Sequence, residues 1–441
     1  MSVKKSIYEQ FFIESDDKSK TVDISQGVVS FDYYEDIFSP TVTAKVMVVN
    51  TGNTIKGKDG KLQSIYNGLP LRGGERVAIK VAGNSPTNPG LDFATNSKDS
   101  LYVSSISNLV SETQRESFVL NLVSKEALIN ETTRVPKKFS SSSTIDSSVT
   151  SILKNYLKTD NIGKIDKTSN KYGFIGNLRK PFSILVWLAS KAVPSISGDG
   201  TAGFLFYQSK DGFQFRSIDN LIMESSKASY TYTEVNQSNI ERNNDFNILK
   251  YKTVRNQNLL EKLRLGAYSS TRVFYNPLTF EFTSPSKGLF KLSDYSSKLK
   301  NLGDDLSLPK VLDSSNNRGG LGNIPTRIFT QILDIGTVEK DVSTDINADP
   351  SKYQSQSIMR YNTLFTQSLS VTIPSNTNLR AGDIIECQFP KISFSNSKEF
   401  DDDQSGLYMI KELCHHFDTE GSYTSMELVR DTFGKHGKNN K

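Results

Sequence analysis

Alternation of apolar and polar positions dominates the first 128 residues. Val42, Ala44, Val46 and Val48 alternate with Thr43, Lys45 and Met47, which gives a strand one apolar face. Val77, Ile79 and Val81 repeat the pattern, as do Phe118, Leu120 and Leu122. Segments such as AGNSPTNPG between these runs supply turn residues. Residues 1–128 are therefore expected to form an antiparallel β domain.

The period then changes. Ile145, Val149, Ile152, Leu153, Tyr156 and Leu157 follow at helical spacing, with Thr144 placed to cap the first turn through its hydroxyl. A second helix is predicted over Pro181–Val193, opened by Pro181 and stopped by Pro194, with Ile184, Leu185, Trp187 and Leu188 in its core. The runs GFLFYQ and FQFRSI flank SKDG as a hairpin, in which Asp211-Gly212 can supply a positive φ. Phe204, Phe206, Phe213 and Phe215 of this hairpin are expected to pack on the two helices rather than to stack on bases, since only Lys210 and Arg216 lie nearby as cations. Residues 129–235 thus read as an α+β module, and Asn236 to Asn244 as a linker.

A second β domain is expected over 236–434. It is interrupted by an insert at about 284–350 whose first part, Ser284 to Thr326, is rich in Ser, Gly, Asn and Asp. A short helix is predicted over Lys352–Leu364, followed by a strand carrying Leu369, Val371 and Ile373. Residues 435–441 read as a flexible tail.

The two β domains contain a repeat. LRGGERVAIKV (71–81) matches LRAGDIIECQF (379–389), with Gly74 on Gly382 and Glu75 on Asp383. Downstream, Leu101-Tyr102-Val103 falls on Leu407-Tyr408-Met409, Glu112-Thr113 on Asp418-Thr419, and Leu122-Val123 on Leu428-Val429, without a gap. Each copy reads as a glycine turn, a strand, a long loop and a closing hairpin. A chain with two copies of one unit places six in a ring by forming a trimer.

Composition narrows the function. The chain has 441 residues, 36% hydrophobic and 23% charged, a globular composition at a length that suggests about three domains. No window approaches the ~20 apolar residues of a membrane-spanning helix, and acidic residues from Glu9 to Asp17 interrupt any signal-peptide core. Two cysteines cannot staple a fold of this size. A net charge of +5 without a basic stripe argues against nucleic-acid binding as the main task.

The hairpin Gly203 to Asp219, the run LSVTIPSNTNLRAGDIIECQFP (369–390), and SGLYMIKELCHHF with GSYTSMELV near the C-terminus resemble the baseplate central hub proteins of contractile-tailed, T-even-like bacteriophages. That family is related to phage late control proteins and to the hub part of the type VI spike protein VgrG. The resemblance implies a mainly β fold with an α+β insert: two homologous tube-like antiparallel β-barrel domains plus a helix–helix–hairpin module. It implies a non-enzymatic structural subunit that forms a homotrimeric pseudo-sixfold ring, adapts the sixfold tail tube to the threefold central spike, and leaves an axial channel for genome ejection. The implied partners are the central spike protein, tail-tube or tube-initiator proteins and baseplate wedge proteins. DNA passes without specific binding. The implied location is the virion tail baseplate, assembled in the host bacterial cytoplasm. Two rivals are a hub with its own peptidoglycan hydrolase, and a type VI-like spike hub, whose chains continue into a β-helical needle where this one stops at Lys441.

No catalytic, cofactor or metal residue is assigned. Cys414, His415 and His416, with Cys387, invite zinc, but adjacent strand residues point to opposite faces, so His415 and His416 cannot share an ion without a bulge. The run Glu399 to Asp403 lacks the spacing of a calcium loop. Gly73-Gly74 and Gly319-Gly320 read as turn glycines, and no phosphate-binding motif or GxSxG is present. Because each phosphate contact adds salt-dependent affinity, a channel for DNA is expected to be neutral or acidic. Basic clusters such as Arg134, Lys137 and Lys138, or Lys298 and Lys300, then belong on other surfaces.

Overall fold

The computed structural model describes residues 2–15, 18–51, 55–56, 60–69, 71–195, 200–233, 244–283, 288–295, 298–304, 306, 308, 320–334, 350–391 and 400–434. The first β unit contains β1 (Tyr8–Glu14), β2 (Val28–Asp36), β3 (Thr43–Asn50), β4 (Arg76–Ala82), β5 (Leu101–Ser111) and β6 (Glu116–Ser124). They pair antiparallel in the order β1-β4-β5-β6-β3-β2. The alternation predicted from sequence sets the faces: Ala44, Val46, Val48, Val77, Ile79, Val81, Phe118, Leu120 and Leu122 are all buried in one core.

A helical module follows, with α1 (Lys125–Thr132), α2 (Ile145–Asn155) and α3 (Pro181–Ala189), then the hairpin β7 (Phe204–Ser209) and β8 (Gly212–Ser217). The four hairpin phenylalanines pack with Ile145, Val149, Ile152, Leu185 and Leu188 in a second core, as the sheet-on-helix reading requires. Two local expectations need correction. Thr144 stands at the N-cap of α2, but its hydroxyl bonds no helix amide there; Thr168 Oγ1 accepts the Asp146 amide instead at 3.2 Å, from 22 residues away. Helix α3 stops at Ala189, four residues before Val193, with its last carbonyls taken by Ser190; Pro194 instead bridges to Thr168. The hairpin turn does take its positive φ from Gly212, at +99°, which closes the loop Lys210-Asp211 opposite Ser209.

The second β unit contains β9 (Ser229–Tyr232), β10 (Asn247–Ile248) and β11 (Lys250–Asn256). After an interruption that includes β12 (Ser269–Asn276), β13 (Arg327–Ile332) and α4 (Pro350–Leu364), it resumes with β14 (Gln367–Pro374), β15 (Ile384–Gln388), β16 (Gly406–Asp418) and β17 (Ser422–Arg430). Its order is β9-β15-β16-β17-β14-β11. The barrel closes because β10 pairs with β9 and runs through Leu249 into β11. Both pairings of β9 are parallel, so the unit is not wholly antiparallel. In the interruption, β12 pairs in parallel with β13 and antiparallel with two short strands, which begins a small sheet at Ser269, ahead of the Ser284 suggested by composition. The predicted linker lies outside the described residues except for Asn244, as do residues 435–441.

The repeat is visible bond by bond. Arg72 N–H donates to Glu75 Oε1 at 2.6 Å, and Arg380 N–H to Asp383 Oδ2 at 2.9 Å. Gly74 and Gly382 have φ of +96° and +92°, a conformation that side chains with a Cβ resist. Their amides donate to Val103 O and Ile410 O, at 2.7 and 2.8 Å. Strand order also matches, β4-β5-β6-β3 against β15-β16-β17-β14. One detail of the alignment is corrected: Val103 corresponds to Ile410, not Met409. The closing turns restore the register, since Glu112 N–H donates to Arg115 O and Asp418 N–H to Gly421 O. The displaced residue is absorbed by a bulge in β5 near Asn108, whose φ is +52°.

Candidate functional site

Strand β16 belongs to both units. Its first residues pair with β15, its middle and end with β17, and Glu412–Asp418 also pair antiparallel with Asp36–Ser30 of β2. Alternation gives this seam two faces. On one, Phe31, Tyr33, Leu413, His415 and Phe417 are buried; Phe31 stacks on Phe417 with centroids 6.0 Å apart, and Tyr33 on His415 at 6.3 Å. On the other, His416 Nδ1 bonds Asp32 Oδ1 and its Nε2 meets Asp418 Oδ2 at 2.9 Å.

The candidate metal residues are thereby divided between the two faces. His415 faces the core, where burial lowers its pKa to about 3, and its Nδ1 bonds Thr424 Oγ1 at 3.1 Å. Cys387 lies in the second barrel core, where burial pushes its thiol up. Cys414 shares the polar face with His416, and burial raises its pKa too. No group of three or more His, Cys, Asp or Glu side chains placed to hold a metal ion occurs among the described residues. Glu399 and His436 lie outside those residues, while Asp401 Oδ1 accepts the amides of Asp403 and Gln404 as a turn acceptor.

Beside the seam, the carboxylate of Glu35 joins three parts of the chain. Its Oε1 accepts from Tyr33 Oη at 3.0 Å and from the Lys210 amide of the module hairpin at 2.6 Å. Its Oε2 accepts from the Ala381 amide of the second glycine turn at 2.9 Å. Burial pushes its pKa up, with Arg380 opposing that effect. A cleft of about 270 Å³ opens next to this node, lined in part by Lys164, Asp211, Arg216, Glu224, Arg380 and Asp383. Burial raises Asp383 to about 6. Sequence reasoning did not single out Glu35. The available signal is an acid at an apolar-face position of the run Phe31, Tyr33, Glu35, Ile37, all of which are buried.

The His416 pair makes the seam sensitive to alkali. Its hydrogen bond to Asp32 raises its pKa to about 9, above an unfolded value of ~6.5. The stabilisation is therefore complete below about pH 6.5 and is lost as pH rises through about 9. With a third of the side chain exposed, solvent screening leaves about 1–2 kcal/mol. The melting temperature of the parent relative to His416→Gln is expected to fall between pH 6.5 and 9.5; parallel curves would contradict the assignment.

The arrangement as a whole holds the units together, through the β2–β16 ladder and the Glu35 node. Known proteins give a consistent picture. No protein-family profile matches the chain. It is 21% identical over 314 residues to the "Probable baseplate hub protein gp334" of Vibrio phage KVP40, a match that spans 65% of this chain and 66% of that protein, just under two thirds. Among solved structures, the tail protein from Neisseria meningitidis MC58 aligns with a TM-score of 0.55 at 9% identity, over 96% of each chain. The 43 kDa tail protein of prophage MuSo2 from Shewanella oneidensis aligns at 0.52 and 11% identity, over 96% of this chain and 99% of its own. The chain has the fold of phage tail proteins. That tail-protein fold, with a baseplate hub protein as a homologue in sequence, agrees with the resemblance read from the repeat and the hairpin.

Proposed function

We propose that this chain is a structural, non-enzymatic hub subunit of a phage tail baseplate that assembles as a homotrimeric ring. Six β units in that ring would match a sixfold tube on one side and a threefold spike on the other, around a channel for the genome. The units in this reading are 1–128, 129–235 and 236–434. The observation that carries it is the seam: one unit is built twice and its copies are already joined edge to edge by the β2–β16 ladder, which is one step of a ring. The further partners are a central spike, tube or tube-initiator proteins and wedge proteins, with assembly in the host cytoplasm before incorporation into the virion. Arg134, Lys137 and Lys138 are exposed in the module, outside the repeated strands, which supports a channel surface that does not retain DNA. Light scattering is expected to give about three times the 49.2 kDa chain mass, and electron micrographs a ring. Because closure follows mass action, a monomer at every concentration, with and without the spike protein, would refute the reading.

A further inference from the structure

The seam inside the chain has a counterpart that the described residues leave open. In the second unit, the edge of β16 away from β17 is occupied first by β15 and then by β2. In the first unit, the equivalent edge of β5 is occupied by β4 only at Leu101 and Tyr102. Among the described residues, no backbone partner lies on that edge beyond Val103. The strand equivalent to β2 in the second unit is β11, which pairs with β14 on one side and, among the described residues, forms no ladder on the other. Among the described residues, each chain therefore shows one open edge of each kind. Long open edges are liabilities that natural proteins usually cover or charge.

We propose that the outer edge of β5 pairs antiparallel with β11 of a second copy of this chain, with Val110 opposite Lys252 and Glu112 opposite Lys250. The proposal rests on the ring reading and identifies the contact that would close it.

The register follows from the repeat. The equivalent closing turns place Val110 on His416 and Glu112 on Asp418. Ala44 faces Leu122 as Leu369 faces Leu428, so Ala44 corresponds to Leu369. Ala44 also faces Tyr33, as Leu369 faces Thr253, which places Asp32 on Lys252 and Ser30 on Lys250. Within the chain, His416 lies opposite Asp32 and Asp418 opposite Ser30. Transferring those two pairs gives the proposed contacts.

The chemistry of the two edges agrees with this register. Glu112 would lie directly opposite Lys250 and diagonal to Lys252 on one face, within reach of both. Leu109, Val110 and Val254, which are 41%, 54% and 56% exposed, would be covered by the new ladder. The contact is heterologous, so each copy offers β5 to one neighbour and β11 to the other, and the assembly closes only by going round.

Charge reversal tests it on the full chain. Glu112→Lys alone, or Lys250→Glu with Lys252→Glu, is expected to weaken assembly at least about 10-fold in sedimentation or light scattering. All three residues are exposed, so the melting temperature of the dissociated chain should not change. Combining all three substitutions in one chain should restore assembly, because the reversed charges again meet opposite signs. A parent trimer that neither reversal weakens would overturn this interface while leaving the ring reading intact; a parent that never associates would overturn both. Register is read separately by oxidative crosslinking: Val110→Cys with Lys252→Cys should give covalent oligomers, whereas preferential crosslinking of Val110→Cys with Thr253→Cys would overturn the register.

Discussion

Arg360→Leu is expected to destabilise the fold by about 3–5 kcal/mol, the cost of stripping one partner from a buried ion pair. The guanidinium sits on α4 with 2% of its side chain exposed. One Nη2 atom donates to Asp219 Oδ1 at 2.6 Å and to Lys300 O at 3.0 Å, and Nη1 donates to Asp431 Oδ2 at 3.3 Å. The two carboxylates are themselves fixed, Asp219 by the Thr201 amide and hydroxyl and Asp431 by the Leu302 amide. They cannot turn to water when the cation goes, and burial already pushes Asp431 up. Arg360→Lys should recover only part of the loss, because an ammonium cannot fork between two carboxylates as a guanidinium does. Denaturant midpoints provide the measurement; a loss below about 1 kcal/mol for Arg360→Leu would show that the cluster is not held by this charge.

Glu35→Gln should cost about 2–3 kcal/mol, although it is nearly isosteric. Both carboxylate oxygens accept, and Ala381 and Lys210 approach with backbone N–H groups. A carboxamide offers one oxygen and one NH₂, so one of those amides would face another donor. The effect should be local. Hydrogen exchange at Lys210 or Ala381 is expected to rise about 30-fold or more, which corresponds to ~2 kcal/mol. Exchange in α2 should stay unchanged, since that helix has its own core. Equal acceleration throughout the chain would indicate a general loss of stability rather than a loosened node.

How far the structure could be read in advance depended on whether the signal was local. Alternating valines in β3 and paired phenylalanines in β7 and β8 identify their own faces, because side-chain period alone fixes the register of burial. The duplication was legible for the same reason: the glycine turns require particular backbone angles, and those angles keep Gly74 and Gly382 recognisable. Thr144 shows the opposite case. Its place at the helix start was readable, but the hydroxyl that serves the second amide comes from Thr168, and no local pattern announces a contact over 22 residues. Arg360 belongs to the same class, and so do the partners of Glu35, although its own apolar-face position was readable. A buried charge looks like any surface charge until its partners are known, and here those partners lie 141 residues away for Arg360 and Asp219 and 346 for Glu35 and Ala381. The seam between β2 and β16 was also invisible, because an edge pairing leaves no mark in the sequence of either strand beyond its ordinary alternation.

Sharing β16 between both units has a mechanical consequence. A hinge between the two halves of one chain would have to shear hydrogen bonds along seven paired positions at once, rather than bend a connecting loop. Each chain should therefore move as a stiff arc. In the proposed ring of three such arcs, any widening of the bore would be confined to the three joints between chains, and those joints, not the protein interior, would set the force at which the passage yields.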